Sequence, residues 1–193
     1  MALSLVLASA SPQRKQLLSG LGLQFSVQPS TIEESDCPER EPAKRSVVLA
    51  RMKALDVAVS YPDSYVIGCD TLVVAADGTL LEKPADEHEA REMLIRHSGS
   101  DSIVHSGLCI VAPDDNVAEG LSSSTVLFKD FKQEDIDWWL GTGLWKDRSG
   151  GFQIDGLGQL LIERIEGDWP GIVGLPIFLL EQLFQQLGET IRT

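Results

Sequence analysis

Leu7-Ala8-Ser9-Ala10-Ser11-Pro12-Gln13-Arg14-Lys15 is the stretch that decides the fold class. It carries the end of an apolar strand, a turn of small residues and two cations that open a helix. Ser11 suits the N-cap and Pro12 the first helical position. Leu17, Leu18 and Leu21 then follow at helical spacing. Arg14 and Lys15 fall in the first turn, where the positive end of the helix dipole disfavours cations. An anion docked at the helix start reverses that balance, so the expected ligand is a phosphate.

Outward from this unit, strands and helices alternate. Leu3 to Ala8 reads as a buried strand, Pro12 to about Leu21 as a helix, and Phe25 to Val27 as a short strand. Thr31 to Pro42 is polar and acidic and reads as a loop. A long helix is predicted from about Ala43 to Ser60, with Val48, Met52, Leu55 and Val59 on its apolar face. Tyr65 to Ala75 is rich in β-branched residues and reads as a central strand, followed by an Asp77-Gly78 hairpin turn. Asp86 with Glu89 forms an aspartate capping box for a helix to His97, which turns Ala90, Met93, Leu94 and His97 inward. Further strands are expected at Ser102 to Ala112, Ser123 to Phe128 and Gln159 to Ile165. Short helices are expected at Gln133 to Leu140 and Ile177 to Leu187, with Glu166 to Pro176 as a loop. Because hairpins occur among the alternating elements, the prediction is an α/β fold with a mixed central sheet covered by helices.

Composition narrows the function. The 193 residues, 43% of them apolar, suffice for one compact domain, here residues 1–193, with room for two lobes. The net charge of −13 argues against nucleic acid or an anionic membrane as a partner. An anionic substrate therefore needs a local basic pocket, a metal ion, or both. Cys37, Cys69 and Cys109 lack metal-ligand spacing and cannot all pair, which fits a reduced cytoplasm. The apolar start Met-Ala-Leu-Ser-Leu-Val-Leu has no basic n-region and is too short to span a membrane.

Asp70 stands out among the candidates for chemistry. It interrupts the apolar run Val66-Ile67-Gly68-Cys69-Asp70-Thr71-Leu72-Val73-Val74. A carboxylate there costs free energy unless it is paired, hydrogen-bonded or metal-bound. It reads as a general base or magnesium ligand, against the plainer reading of a strand-end cap. Lys53 lies by the apolar stripe of the long helix, and on its own reads as a lysine with its stem along the core edge. Lys83 is held extended by Pro84. Glu33 and Glu34 read by default as solvated acids. Asp155 lies among glycines in Gly150-Gly151-Phe152-Gln153-Ile154-Asp155-Gly156-Leu157-Gly158, where a ligand can approach the backbone. There is no Walker loop, no zinc spacing among His88, His97 and His105, and no serine-hydrolase motif. Trp138, Trp139, Trp145 and Trp169 serve a core or a homodimer contact, or stack on a base.

Taken in order, several pieces resemble the Maf family of nucleotide pyrophosphatases. They are Ser9-x-Ser11-Pro12-x-Arg14, Glu33-Glu34, Lys53, Gly68-x-Asp70-Thr71, Glu82-Lys83-Pro84, Gly156-Leu157-Gly158 and Val173-Gly174-Leu175-Pro176. The resemblance implies a Maf/ITPase-like fold, with two lobes and a nucleotide cleft. It also implies metal-assisted hydrolysis, with Mg2+ or Mn2+, of a nucleoside triphosphate to the monophosphate and pyrophosphate, as a housecleaning reaction. Carried over by position, Asp70 is the proton acceptor, and Ser9, Arg14, Lys53 and Lys83 bind substrate. Glu34, with Asp70, holds the metal. The specificity positions hold Gln13, Thr71 and Asp155. Thr71 matches the dTTP/UTP branch, Asp155 leans to the 7-methyl-GTP branch, and Gln13 matches neither. A carboxylate accepts from the N1 and N2 donors of guanine, so the base expected here is 7-methylguanine, with dTTP/UTP as the alternative. The family's association with septum formation and division arrest leaves a regulatory binding role as a further alternative.

Overall fold

A computed structural model describes residues 3–192 of the chain. Met1 and Ala2, part of the apolar start, and Thr193 lie outside the described residues. The strands are β1 (Leu5–Leu7), β2 (Ser26–Val27), β3 (Tyr65–Ala75), β4 (Leu80–Leu81), β5 (Asp101–Val111), β6 (Val117–Phe128) and β7 (Ile162–Glu166). The helices are α1 (Pro12–Gly20), α2 (Pro42–Ala58), α3 (Glu87–His97), α4 (Gln133–Thr142), α5 (Trp169–Val173) and α6 (Ile177–Gln186). The strand order is β2-β1-β3-β5-β6-β7, with β4 paired to β3. β1 pairs in parallel with both β2 and β3, whereas β3–β4 and β6–β7 are antiparallel. The sheet is therefore mixed, and helices cover it, as the sequence predicts.

The chain forms two compact units. Among the described residues, one comprises 3–70, Ser106–Ser122 and 174–192; the other comprises Thr71–His105 and Ser123–Val173. In the first unit the alternation along β1 separates two cores, because successive strand side chains point to opposite faces. Leu5 and Leu7 join Ile67, Cys69, Leu108 and Ile110 under Leu18 of α1 and Leu180, Leu183 and Phe184 of α6. Val6 and Ala8 join Val66, Cys109 and Val111 under Ala50, Ala54 and Val57 of α2.

The inward face of α2 differs from the one predicted. Leu55 and Val59 are exposed, and Ser46, Leu49, Ala50, Ala54 and Val57 are buried. The contact is made by small residues because the helix lies against glycines. A Cβ on Gly68 would fall 2.2 Å from the carbonyl oxygen of Ala50, and one on Gly107 would fall 2.2 Å from that of Ser46. Backbone cannot yield there as a side-chain end would. Gly68→Ala is therefore expected to destabilise by about 2 kcal/mol in urea unfolding, by forcing α2 off the strand. An unchanged midpoint would show that the contact is slack.

The second unit packs α3 on α4 through Ala90, Leu94, Ile136, Trp139 and Leu140. The four residues expected on the inner face of α3 are the buried ones. Asp86 caps this helix by accepting from the Glu89 N–H, but the Glu89 carboxylate reaches the N–H of Ala85 rather than that of Asp86. The strand expected at Gln159 to Ile165 begins only at Ile162, because Gly156–Leu161 winds into 3-10 turns. The segment expected as a loop after it contains α5. Pro170 is tolerated there because a first-turn N–H has no intrahelical acceptor.

His97 is buried in this unit, where Nε2–H donates to the Gly150 carbonyl at 2.9 Å and Nδ1 accepts from Ser102 Oγ at 2.8 Å. Burial pulls its pKa down to about 4, against the upward pull of the Gly150 bond. A histidine held neutral contributes stability above its unfolded value near 6.5, and loses that contribution as pH falls toward its folded value. Between pH 7 and 4 the loss is expected to reach about 3 kcal/mol. Urea unfolding of the parent and of His97→Gln checks this: a pH slope unchanged in the variant would assign it elsewhere.

Candidate functional site

The candidate site is built from four segments of the first unit. The turn after β1 and the start of α1 form as the sequence predicts. Pro12 opens the helix, and Ser11 Oγ accepts from the Arg14 N–H at 3.4 Å. Ser9 is buried, and its Oγ accepts from the Ser11 N–H at 3.3 Å and from Arg14 Nη1 at 3.0 Å. Arg14 Nε donates to the Gly174 carbonyl at 2.9 Å. Gly174 has φ of 127°, a conformation that favours glycine. Gln13 accepts from Ser11 Oγ at 3.4 Å.

The close seat of α2 on Gly68 brings Lys53 beside the end of the first unit's part of β3. Lys53 Nζ donates to Asp70 Oδ1 at 2.6 Å and to Glu34 Oε1 at 2.7 Å. Lys53 thus turns to the site rather than resting as a stem on the core edge. Asp70 is 4% exposed, and its Oδ2 is buried with no hydrogen-bond partner among the described residues. Burial pushes the Asp70 carboxyl above the ordinary carboxylate value, against the pull of Lys53 and Arg14, and Glu34 adds to the rise. Its neighbour Cys69 is no rival nucleophile, since burial lifts that thiol to about 11. The arrangement offers a proton acceptor with one oxygen anchored and the other open, next to fixed positive charge.

The Maf-like protein family matches residues 4–187 of the chain. The chain belongs to this family. Among its curated relatives is the dTTP/UTP pyrophosphatase of Pyrococcus furiosus, 37% identical over 188 residues, which are 97% of each chain. The dTTP/UTP pyrophosphatase of Deinococcus radiodurans is 40% identical over 183 residues, covering 95% of this chain and 92% of the relative. These relatives carry the activity set second in the sequence reading, not the 7-methyl-GTP activity set first. Among solved structures, the Staphylococcus aureus Ham1 protein overlaps at a TM-score of 0.46 with 11% identity, covering 67% of this chain and 73% of that one.

In this Maf-like chain the donor set suits a hard divalent cation. Two carboxylates from separate segments, Asp70 and Glu34, already converge on one positive charge, and Asp70 Oδ2 is an orphaned acceptor. Magnesium is commonly held by one or two carboxylates together with substrate phosphates, not by a full protein cage. No group of three or more His, Cys, Asp or Glu side chains that could hold a metal ion occurs among the described residues.

The remaining expected site residues of the Maf-like chain, Thr71, Lys83 and Asp155, lie in the second unit. Lys83 is exposed beside buried Pro84, and the preceding Glu82 carbonyl accepts from the Gly150 N–H at 3.0 Å. Asp155 has a buried Oδ1 with no partner among the described residues. No helix among the described residues is long and apolar enough to cross a membrane.

Sequence reasoning missed Arg45. It is buried in the first turns of α2 and donates to backbone carbonyls of the Glu34 loop. The signal that marks Arg14, a cation near a helix start, is present at Lys44 and Arg45 too.

Proposed function

We propose that this Maf-like chain hydrolyses dTTP and UTP to the monophosphate and pyrophosphate. The observation that carries the reading is Asp70: a buried carboxylate with one oxygen fixed by Lys53 and the other without a partner among the described residues. Pyrimidine choice is supported by the names of relatives that cover nearly the whole chain. In the proposed reaction water attacks the α-phosphorus in line with the departing pyrophosphate, and Asp70 accepts its proton. A raised carboxyl pKa makes Asp70 a stronger base than an ordinary aspartate. Arg14, held by Ser9 and Gly174, and Lys53 meet the charge that develops on the phosphates. Lys83 contributes a third cation, and Gln13, Thr71 and Asp155 select the base. Asp70 and Glu34 would hold Mg2+ or Mn2+, which when bound polarises the phosphoryl oxygens and neutralises their charge.

The orphaned Asp155 Oδ1 suits guanine, whose N1 and N2 donate, but it equally suits the N3–H of uracil or thymine. The expected result is pyrophosphate from dTTP and UTP at higher kcat/KM than from 7-methyl-GTP, measured with Mg2+ or Mn2+. Preference for 7-methyl-GTP would overturn the base choice and keep the chemistry. Orthophosphate as product, or no turnover of any triphosphate, would overturn the chemistry.

A further inference from the structure

We infer that Arg45 is a positioning residue that fixes Glu34 for metal binding; this rests on the role proposed above for Glu34. The loop bearing Glu34 is acidic and short of apolar anchors, yet its backbone is fastened to α2 at both ends. At one end the Thr31 N–H donates to Asp56 Oδ2 at 2.8 Å. At the other end Arg45, 5% exposed, donates from Nη2 to the Glu34 carbonyl at 2.9 Å. Its Nη1 donates to the Glu39 carbonyl at 3.0 Å and to the Cys37 carbonyl at 3.4 Å. One guanidinium therefore gathers three carbonyls of a single loop, one of them belonging to Glu34 itself. Lys53, two turns further along the same helix, takes the Glu34 carboxylate at 2.7 Å. The backbone and side chain of Glu34 are thus both referred to α2, the helix that also fixes Lys53 against Asp70.

A planar fork with several directed N–H donors can satisfy three carbonyls at once, whereas an ammonium is a single point charge. Arg45→Lys keeps the charge and loses the fork. Partners that orient metal ligands typically account for about 10- to 100-fold in metal affinity.

The test measures Mn2+ affinity by electron paramagnetic resonance, with a non-hydrolysable α,β-imido analogue of UTP bound, for the parent, Arg45→Lys, Arg45→Gln, Glu34→Gln and the double variant Glu34→Gln/Arg45→Gln. Amide exchange over Glu34–Glu39 is followed in parallel. The expected result is about tenfold weaker Mn2+ binding in each Arg45 variant, faster exchange confined to that loop, and a double variant no weaker than Glu34→Gln alone. Additive losses, or unchanged Mn2+ affinity in the Arg45 variants while Glu34→Gln weakens it, would overturn the positioning role alone. An inert Glu34→Gln would overturn the metal role of Glu34 and the inference with it. Should Arg45→Gln fail to fold, Arg45→Lys carries the same comparison, with exchange over the loop as its second readout.

Discussion

Asp70→Asn is expected to lower kcat for pyrophosphate release by about a thousandfold, a typical share for a positioned general base. The substitution keeps the shape of the side chain and an oxygen able to accept from Lys53 Nζ, which lies 2.6 Å from Oδ1 in the parent. Folding should survive it, and at a metal concentration that saturates both proteins KM should move much less than kcat, because the property then lost is the capacity to accept a proton. The parent should show a second mark of the same group. In its proposed role as base Asp70 acts only when ionised, and burial holds its carboxyl above the ordinary carboxylate value. The rate should therefore rise with pH along a limb displaced upward from where an exposed aspartate would titrate, and the residual activity of the variant should lack that limb. A pH–rate profile with circular dichroism on both proteins checks this. Turnover within a few-fold of the parent would remove Asp70 from the reaction.

The second large effect is on stability. Lys53→Met should cost about 4 kcal/mol at pH 7, because it leaves a buried carboxylate without its cation. The sign of the pH dependence follows from the Asp70 carboxyl. Its folded value already exceeds the ordinary one, and loss of Lys53, which pulls it down, raises it further. The folded variant then holds that proton more tightly than the unfolded chain. Its deficit should be largest above the raised value and shrink as pH falls through it toward the ordinary carboxylate range. Urea titrations at several pH values would show the gap to the parent closing in acid. A gap independent of pH would mean that the loss comes from packing of the lysine stem. Catalytic loss in this variant should appear in KM as well as kcat, since a substrate phosphate loses a positive charge.

Legibility in the sequence followed the kind of contact that each element makes. β3 was readable residue for residue because a long β-branched run has one sensible conformation, and Asp70 was conspicuous for breaking it. The ends of α1 and α3 were readable from Ser11-Pro12 and Asp86 because capping is local chemistry. The inner face of α2 was not readable by counting large apolar residues, since its contact is made by Ser46, Ala50 and Ala54 against glycine. The apolar Leu160-Leu161 pair imitates a strand start ahead of β7, and Pro170 and Gly171 conceal α5. In the site, the Lys53–Asp70–Glu34 grouping depends on residues far apart in the chain, which the bare residues could not bring together. Arg45 was obscured because its partners are carbonyl oxygens, which leave no trace in side-chain patterns.

The seating of α2 directly on Gly68 gives the Lys53–Asp70 pair an unusual kind of reference point. The Ala50 carbonyl and the backbone N and Cβ of Ala54 close on Gly68 there, so that nothing longer than a methyl group lies between helix and strand. Repacking of the larger side chains of the surrounding core is therefore expected to have little leverage on the ammonium–carboxylate spacing. For protein engineering this separates two tasks. The Leu7, Leu18 and Phe184 core can be redesigned for heat tolerance while the spacing at Asp70 acts as a fixed gauge, and the site itself can be altered separately.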